Sequence, residues 1–242
     1  MCKAADFHSH ILPGIDDGSS SVEESIAMLR MEAEQGITRV VTTPHFYPRH
    51  DSPERFLERR DEAERKLRGE MEKHGDLPQL SVGAEVYYFR GMSQSEQLSK
   101  LTIRGTNFIL VEMPPAPWPE EAYRELEEIW RSLGLIPVIA HIDRYVSPLR
   151  TRGIPQRLAG LPVLVQANAE FFLRKSTARM AHKMLGKGLI HLLGSDCHNT
   201  STRKPNLGAA LESIEVNLGA EALSNIQTYE RQVLGSPAGK GT

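Results

Sequence analysis

The sequence predicts a parallel α/β barrel, and three observations carry that expectation. Strand-like apolar runs alternate with amphipathic helix-like runs about seven times along the chain, with no sequence repeat behind the alternation. The 242 residues suffice for one such barrel without a second domain. Polar residues able to bind metal, His8, His45, Glu85, Glu112, His141 and Asp196, each fall at the C-terminal end of a different predicted strand, the face where barrel active sites assemble.

The chain begins with Phe7-His8-Ser9-His10, and on an extended backbone two histidines one residue apart point the same way, so both can reach one cation. Ser21-Val22-Glu23-Glu24 forms a capping box, and Ile26, Leu29 and Ala33 follow at helical spacing until Gly36, which predicts a helix over 22–35. The β-branched run 37–43 is a strand ended by Pro44, with His45 just past it. Ser52-Pro53 opens a helix over 52–74 that buries Phe56, Ala63, Leu67 and Met71. Residues 80–88 predict one strand containing Gly83-Ala84-Glu85, and 106–113 another containing Val111-Glu112.

After a Pro-rich turn at 114–119, residues 120–133 form an amphipathic helix with Leu126, Ile129 and Trp130 inward. The apolar strand 135–140 runs into His141-Ile142-Asp143-Arg144-Tyr145. Two further units follow: a strand 162–167 ending at Asn168 with a helix over 169–187, and a strand 189–194 ending at Ser195-Asp196-Cys197-His198. One or two short helices occupy the stretch from Leu207. A single domain over 1–234 and a disordered Gly/Pro/Lys-rich tail over 235–242 are expected.

Composition narrows the function classes. With 40% hydrophobic and 25% charged residues the chain is an ordinary globular one, and a net charge of -2 leaves no basic face for nucleic acid or anionic membrane. Residues 1–6 lack the basic start and apolar core of a signal peptide, and no apolar run approaches a membrane span, so a cytoplasmic location without membrane insertion is expected. The two cysteines lie at opposite ends of the chain, which excludes a disulfide framework and a thiolate-rich zinc site.

The candidate ligands are His8, His10, His45, His141 and His198 together with Asp17, Glu85, Glu112 and Asp196. Nine such groups exceed what one catalytic ion takes from protein, so their convergence implies two or three ions. Nitrogen and oxygen donors without thiolate suit manganese, iron or zinc. Such a cluster lowers the pKa of bound water towards about 7 and clamps both sides of an in-line displacement at phosphorus, which is hydrolase chemistry. Arg144 and Arg203, three and five residues beyond His141 and His198, are candidates for binding phosphate through their guanidinium forks. Asp16 competes with Asp17 as ligand, and Asp143 and Asn168 are candidates for orienting the site. His50, His74, His182 and His191 are expected to be exposed or ordinary core histidines.

In order along the chain, His8-Ser9-His10-Ile11-Leu12-Pro13-Gly14-Ile15-Asp16-Asp17-Gly18, Thr43-Pro44-His45, Gly83-Ala84-Glu85-Val86-Tyr87-Tyr88, Ile139-Ala140-His141 and Ser195-Asp196-Cys197-His198-Asn199 match the motifs of the PHP (polymerase and histidinol phosphatase) domain phosphoesterases. The chain resembles above all the bacterial manganese-dependent protein-tyrosine phosphatases of capsule and exopolysaccharide clusters, over roughly residues 6–207. The resemblance implies a distorted (β/α)7 TIM-like barrel with a trinuclear site at its mouth. His8, His10, Glu85 and Asp196 would bind one ion, Glu85 bridging to a second with Glu112 and His141, and Asp17, His45 and His198 would serve the third. It also implies phosphate binding by Arg144 and Arg203, attack by a metal-bound hydroxide, and a phosphotyrosine substrate on a bacterial tyrosine autokinase. The family's Glu-Arg-Tyr is Asp143-Arg144-Tyr145 here, and the chain after Asn217 matches only loosely.

Three rival expectations remain. Cys197 and Arg203 have the C-x5-R spacing of cysteine-dependent phosphatases, although the seven-residue stretch contains no glycine to bring backbone amides against a phosphate. The metals could serve a small phosphate ester such as histidinol phosphate. A catalytically silent PHP binding module would be expected to lose ligands, and here all nine positions are filled.

Overall fold

The computed structural model describes residues 4–115, 117–146 and 153–235. Every strand pairing is parallel, as expected for strands joined through helices. The elements are β1 (Ala4–Ser9), α1 (Val22–Glu34), β2 (Ile37–Thr42), β3 (His45–Phe46), α2 (Pro53–Met71), β4 (Gln79–Val82), β5 (Glu85–Tyr87) and β6 (Phe108–Glu112). Then come α3 (Glu120–Leu133), β7 (Ile136–Ile139), α4 (Ile154–Leu158), β8 (Leu164–Asn168), α5 (Ala169–Leu173), α6 (Ala178–Leu185), β9 (Leu192–Gly194), α7 (Leu207–Leu218) and α8 (Ala220–Leu234). Hydrogen bonds order them as β1-β2-β4 and as β3-β5-β6-β7-β8-β9.

The expected strand over 80–88 is two strands, and the reason lies in its neighbour. Pro44 has no N–H to give, so the β2 ladder cannot run on through it. The pairing resumes one step later: Gly83 N donates to Thr42 O at 2.9 Å and Glu85 N to Pro44 O at 3.0 Å, after which His45 pairs with Glu85. Gly83 suits the break, because a Cβ there would lie a tight 3.3 Å from Ile103 Cα and push that neighbour back by a few tenths of an ångström.

The sheet curls. Phe7 of β1, Val41 of β2, Leu110 of β6, Val138 of β7 and Leu192 of β9 pack in one buried cluster, which side chains from non-adjacent strands can do only on a closed-up concave face. At the far edges, Asp196 N donates to His8 O at 2.8 Å and His10 N to Cys197 O at 2.9 Å, joining the ends of β1 and β9. The architecture is therefore an α/β fold with a curled parallel sheet, formed from nine strand segments rather than seven unbroken strands.

Other departures are local. The helix expected over 169–187 is interrupted after Leu173, where Arg174 turns extended and the Thr177 hydroxyl donates to Phe171 O at 2.9 Å. Half of the expected capping box forms, the Ser21 hydroxyl accepting from Glu24 N, while the Glu24 carboxylate accepts from Ser20 N at 2.9 Å instead of from Ser21 N. Trp130 is 48% exposed: Ala122, Leu126 and Ile129 fill the inner stripe of α3, and Trp130 lies to one side of it. His191 precedes β9 instead of lying inside it. From residue 236 on, the expected disordered tail lies outside the described residues.

Candidate metal centre

Every predicted ligand is brought to one end of the curled sheet, and Glu85 sits at the middle of the group. Its Oε2 lies 3.2 Å from His8 Nε2, 3.4 Å from His10 Nε2 and 2.9 Å from His45 Nδ1, while Oε1 lies 2.7 Å from His141 Nε2. Asp196 Oδ1 faces the same two histidines, 3.7 Å from His8 Nε2 and 3.5 Å from His10 Nε2. Glu112 Oε1 is 3.7 Å from His141 Nε2, and Asp17 Oδ1 is 3.4 Å from both His45 Nε2 and His198 Nε2. Three overlapping donor sets result: His8, His10 and Glu85; His45, Glu85 and Glu112; His10, Asp17, His45 and His198.

The donor chemistry fits metal ions. His10 Nδ1 is turned to Asp16 Oδ2 at 2.7 Å and His8 Nδ1 to Gln166 Oε1 at 3.3 Å, which leaves the two Nε2 atoms facing each other at 3.2 Å with carboxylate oxygens around them. In their neutral forms, with Nδ1–H given to these partners, both histidines would turn Nε2 lone pairs toward the carboxylates, an arrangement a cation resolves. Glu85 Oε2, Glu112 Oε2, His141 Nδ1 and His198 Nε2 are buried without a hydrogen-bond partner among the described residues. Burial works against charge on His10, yet Asp16 and Glu85 outweigh it and hold its pKa up at about 10. Burial would likewise raise the Glu85 carboxyl, but the surrounding histidines hold it well below the carboxylate range. The pocket attracts positive charge from both sides of the balance.

Two candidate ligands carry backbone strain. His141 (φ 32) and Asp196 (φ 53) are the positive-φ non-glycine residues among those described, and each directly follows, or nearly follows, a strand end. Such conformations cost about 1–3 kcal/mol each and persist only where surroundings over-determine them. Here Gln166 Oε1 accepts from His141 N at 2.6 Å, and His8 O accepts from Asp196 N at 2.8 Å.

Asp16 and Asp17 take different places. Asp16 is buried behind the ligands, accepting from His10 Nδ1 and, at 2.9 Å, from His45 N; Asp17, with its side chain 65% exposed, faces His45 and His198. Gly18 permits this turn, since a Cβ there would lie 2.2 Å from His10 O. Because hydrogen-bonded supports of metal-binding histidines are worth roughly 10–100-fold in metal affinity, Asp16→Asn is expected to weaken metal binding by about that factor, measured by metal titration. Unchanged affinity would mean that Asp16 orients nothing.

Residue-by-residue reasoning missed Gln166. It stands buried in β8, accepts from His141 N, and donates to Asn168 Oδ1 at 3.0 Å; Asn168 Nδ2 in turn donates to Asp196 Oδ2 at 3.0 Å. A glutamine inside the apolar run 162–167 was the available signal, because a polar group is buried only with partners. Asn168 N donates to Asp143 Oδ1 at 3.0 Å, so both residues expected to orient the site belong to this network. Behind it, buried Asp6 accepts from His8 N and Ser195 N at 3.0 Å, tying the first ligand strand to the last.

Arg144 and Arg203 stand at the mouth, 40% and 41% exposed. Arg144 reaches Asp196 Oδ2 at 2.8 Å and Glu112 Oε1 at 3.2 Å; Arg203 reaches Asp196 Oδ1 at 3.0 Å. Both line a cavity of about 680 Å³ together with Asp196. Three of the remaining histidines lie elsewhere: His74 meets Arg30, His182 meets Ser213, and His191 Nδ1 accepts from Val165 N; exposed His50 packs beside Tyr47 and lines a chamber with Asp17 and His45.

Cys197 is fully buried with its Sγ 3.9 Å from Glu32 Oε1. Burial pushes its thiol well above the ordinary range, and the Glu32 and Asp6 carboxyls add to this, the opposite of what a thiolate nucleophile needs. Cys197→Ser is accordingly expected to keep wild-type turnover within about threefold, since only a nucleophile's loss costs orders of magnitude. Loss of all turnover in that variant would reinstate the cysteine mechanism.

Residues 4–234 match the family model for capsular polysaccharide synthesis, CpsB/CapC. The chain belongs to the CpsB/CapC family. Within that family it is similar to the tyrosine-protein phosphatase CpsB of Streptococcus pneumoniae, 30% identical with 89% of this chain and 91% of the relative covered. It is equally similar to the tyrosine-protein phosphatase YwqE of Bacillus subtilis, 30% identical over 89% of this chain and 85% of the relative. Among solved structures, one of the pair YwqE from Bacillus subtilis and CpsB from Streptococcus pneumoniae, described as unique metal-dependent tyrosine phosphatases, superposes with a TM-score of 0.81. Its identity is 25%, covering 96% of this CpsB/CapC chain and 95% of that one. An amidohydrolase from Bifidobacterium longum subsp. infantis shares the fold at a TM-score of 0.55 and 12% identity, covering 96% and 98% of the two chains.

Proposed function

We propose that this chain is a metal-dependent protein-tyrosine phosphatase acting on a bacterial tyrosine autokinase whose phosphorylation state controls polysaccharide synthesis. The observation that carries the reading is the convergence of eight further nitrogen and oxygen donor residues on Glu85 and its neighbours, rimmed by two guanidinium groups and free of thiolate. Family membership and the names of the relatives support it.

His8, His10, Glu85 and Asp196 would hold one ion, Glu85, Glu112 and His141 a second, and Asp17, His45 and His198 a third, with His45 also within reach of the second and His10 of the third; manganese is the proposed metal and iron or zinc the alternatives. Ions in such a site lower the pKa of coordinated water towards neutrality and neutralise charge on phosphoryl oxygens. Arg144 and Arg203 present N–H groups to the cavity and would fork onto the phosphate, strengthening their hold as charge develops on it. Asp16 and Gln166 would keep His10 and His8 turned Nε2-inward. A phenol leaving group, with pKa near 10, departs with less help from an acid than an aliphatic alcohol would need.

Dialysis against EDTA is expected to abolish hydrolysis of phosphotyrosine peptides and manganese to restore it, with phosphotyrosine preferred over histidinol phosphate by roughly 100-fold. Turnover that survives complete metal removal would overturn the metal reading. A preference for histidinol phosphate would overturn the substrate. No hydrolysis of any aryl phosphate by the manganese-loaded protein would favour a silent binding module.

A further inference from the structure

The phosphatase reading leaves open how an aromatic ester is told from an aliphatic one, and the strands that carry the ligands carry an answer. Strands β3 and β5 pair in parallel with His45 opposite Glu85 and Phe46 opposite Val86. Side chains alternate along strands. Phe46 and Val86 take the buried side, at 2% and 0% exposure, so Tyr47 and Tyr87 follow the two ligands on the site-facing side, one step further toward solvent. The rings meet accordingly: Tyr47 stacks on His45 with centroids 5.2 Å apart and an interplanar angle of 29°, and its centroid lies 5.7 Å from that of Tyr87.

Tyr47 is also 38% exposed, one of three large apolar side chains so exposed among the described residues. It forms a shared wall between two spaces. On one side is a chamber of about 330 Å³ lined by Asp17 and His45; on the other is a groove of about 550 Å³ lined by Tyr87, Tyr88, Phe89 and Pro114. In an aryl phosphate the ester oxygen joins phosphorus directly to the ring, so a ring whose phosphate meets the ligands must lie against whatever flanks them.

The geometry points to the packed pair Tyr47 and Tyr87 as the aromatic side of a specificity-determining slot, against which the aryl ring of the phosphoester lies while its phosphate is at the cluster of His45, Glu85 and Asp17. The inference rests on the phosphatase reading and adds to it the residues that select aromatic over aliphatic phosphate. Aromatic pairs of this kind are worth about 0.5–1.5 kcal/mol beyond area burial, so the slot is expected to discriminate by up to about tenfold.

Binding of phenylphosphonate and methylphosphonate to the manganese-loaded protein, measured by calorimetry alongside metal content, tests the slot without turnover. The wild type is expected to bind the phenyl compound about tenfold more tightly. Tyr47→Ala should lose that preference at unchanged metal content, and Tyr47→Phe should keep it, because the ring and not the hydroxyl makes the contact. Equal affinities in the wild type, or a preference that survives Tyr47→Ala and Tyr87→Ala, would overturn the slot. Loss of metal with both phosphonates in Tyr47→Ala would also overturn it, since Tyr47 would then act only by supporting His45. A phenyl preference in a protein that hydrolyses no phosphotyrosine would leave the slot standing and overturn the phosphatase reading instead.

Discussion

Glu85→Gln is expected to lower kcat/KM on phosphotyrosine peptides by at least about a thousandfold, roughly 4 kcal/mol of transition-state stabilisation. The substitution keeps the shape and removes the charge. Among the described residues Glu85 is the one carboxylate within reach of His8, His10, His45 and His141 at once, and the imidazoles hold it ionised far below neutral pH against the cost of burial. Gln therefore removes a negative charge present at every working pH. Metal content per chain should fall with activity, because the same oxygen atoms serve more than one donor set. His8→Ala and His10→Ala are expected to act in the same direction, each removing one imidazole. Elemental analysis and far-ultraviolet circular dichroism check the pair of outcomes: metal lost, fold kept. A Glu85→Gln protein with full metal occupancy and normal turnover would show that the cluster is not the reaction centre.

Arg203→Ala should produce the second largest effect and a different signature. Loss of a donor aimed at developing charge costs about 100- to 1000-fold in kcat, and Arg144→Ala should behave alike. Metal content is expected to hold, since both arginines lie outside the donor sets and touch them only through the outer carboxylates Asp196, Glu112 and Asp17. Stability should move by less than about 1 kcal/mol, because ion pairs of side chains about 40% exposed are screened by solvent. Arg203→Lys should recover only part of the loss, as an ammonium supplies charge without the planar fork. Steady-state kinetics with metal analysis separates this from the Glu85 case; an arginine variant that loses metal in step with activity would place the arginine in support of Asp196, not of phosphate.

Much of this architecture is legible along the chain because strands and turns are local. A capping box at Ser21, β-branched runs, and prolines and glycines at run ends report on neighbours a few residues away, and the helix and strand positions they predict are largely those observed. Where the prediction fails, a distant partner decides. Gly83 is the only hint of a break within 80–88; Pro44, between the neighbouring strands β2 and β3, withdraws a hydrogen bond and shifts the pairing. Trp130 looks inward on periodicity alone, yet the inner stripe of α3 is already filled by Ala122, Leu126 and Ile129.

The site divides in the same way. The kinds of ligand and their places at strand ends come from the sequence by itself, since a parallel sheet gathers the C-terminal ends of its strands on one face whatever their order. Which atoms meet was decided only in three dimensions. Asp16 turns behind the cluster and Asp17 in front because Gly18 allows the loop to press against His10. Gln166 becomes the support of His141, which follows the neighbouring strand β7, and reaches His8 across β9 because Gly194 there has no side chain in the way. The same pairing of β3 with β5 that sets His45 against Glu85 also sets Tyr47 against Tyr87, a contact between residues forty positions apart. Side-chain type is a local property of the chain, whereas the register between strands, and so the geometry of the candidate donors and of the aromatic pair beside them, exists only once the strands have paired.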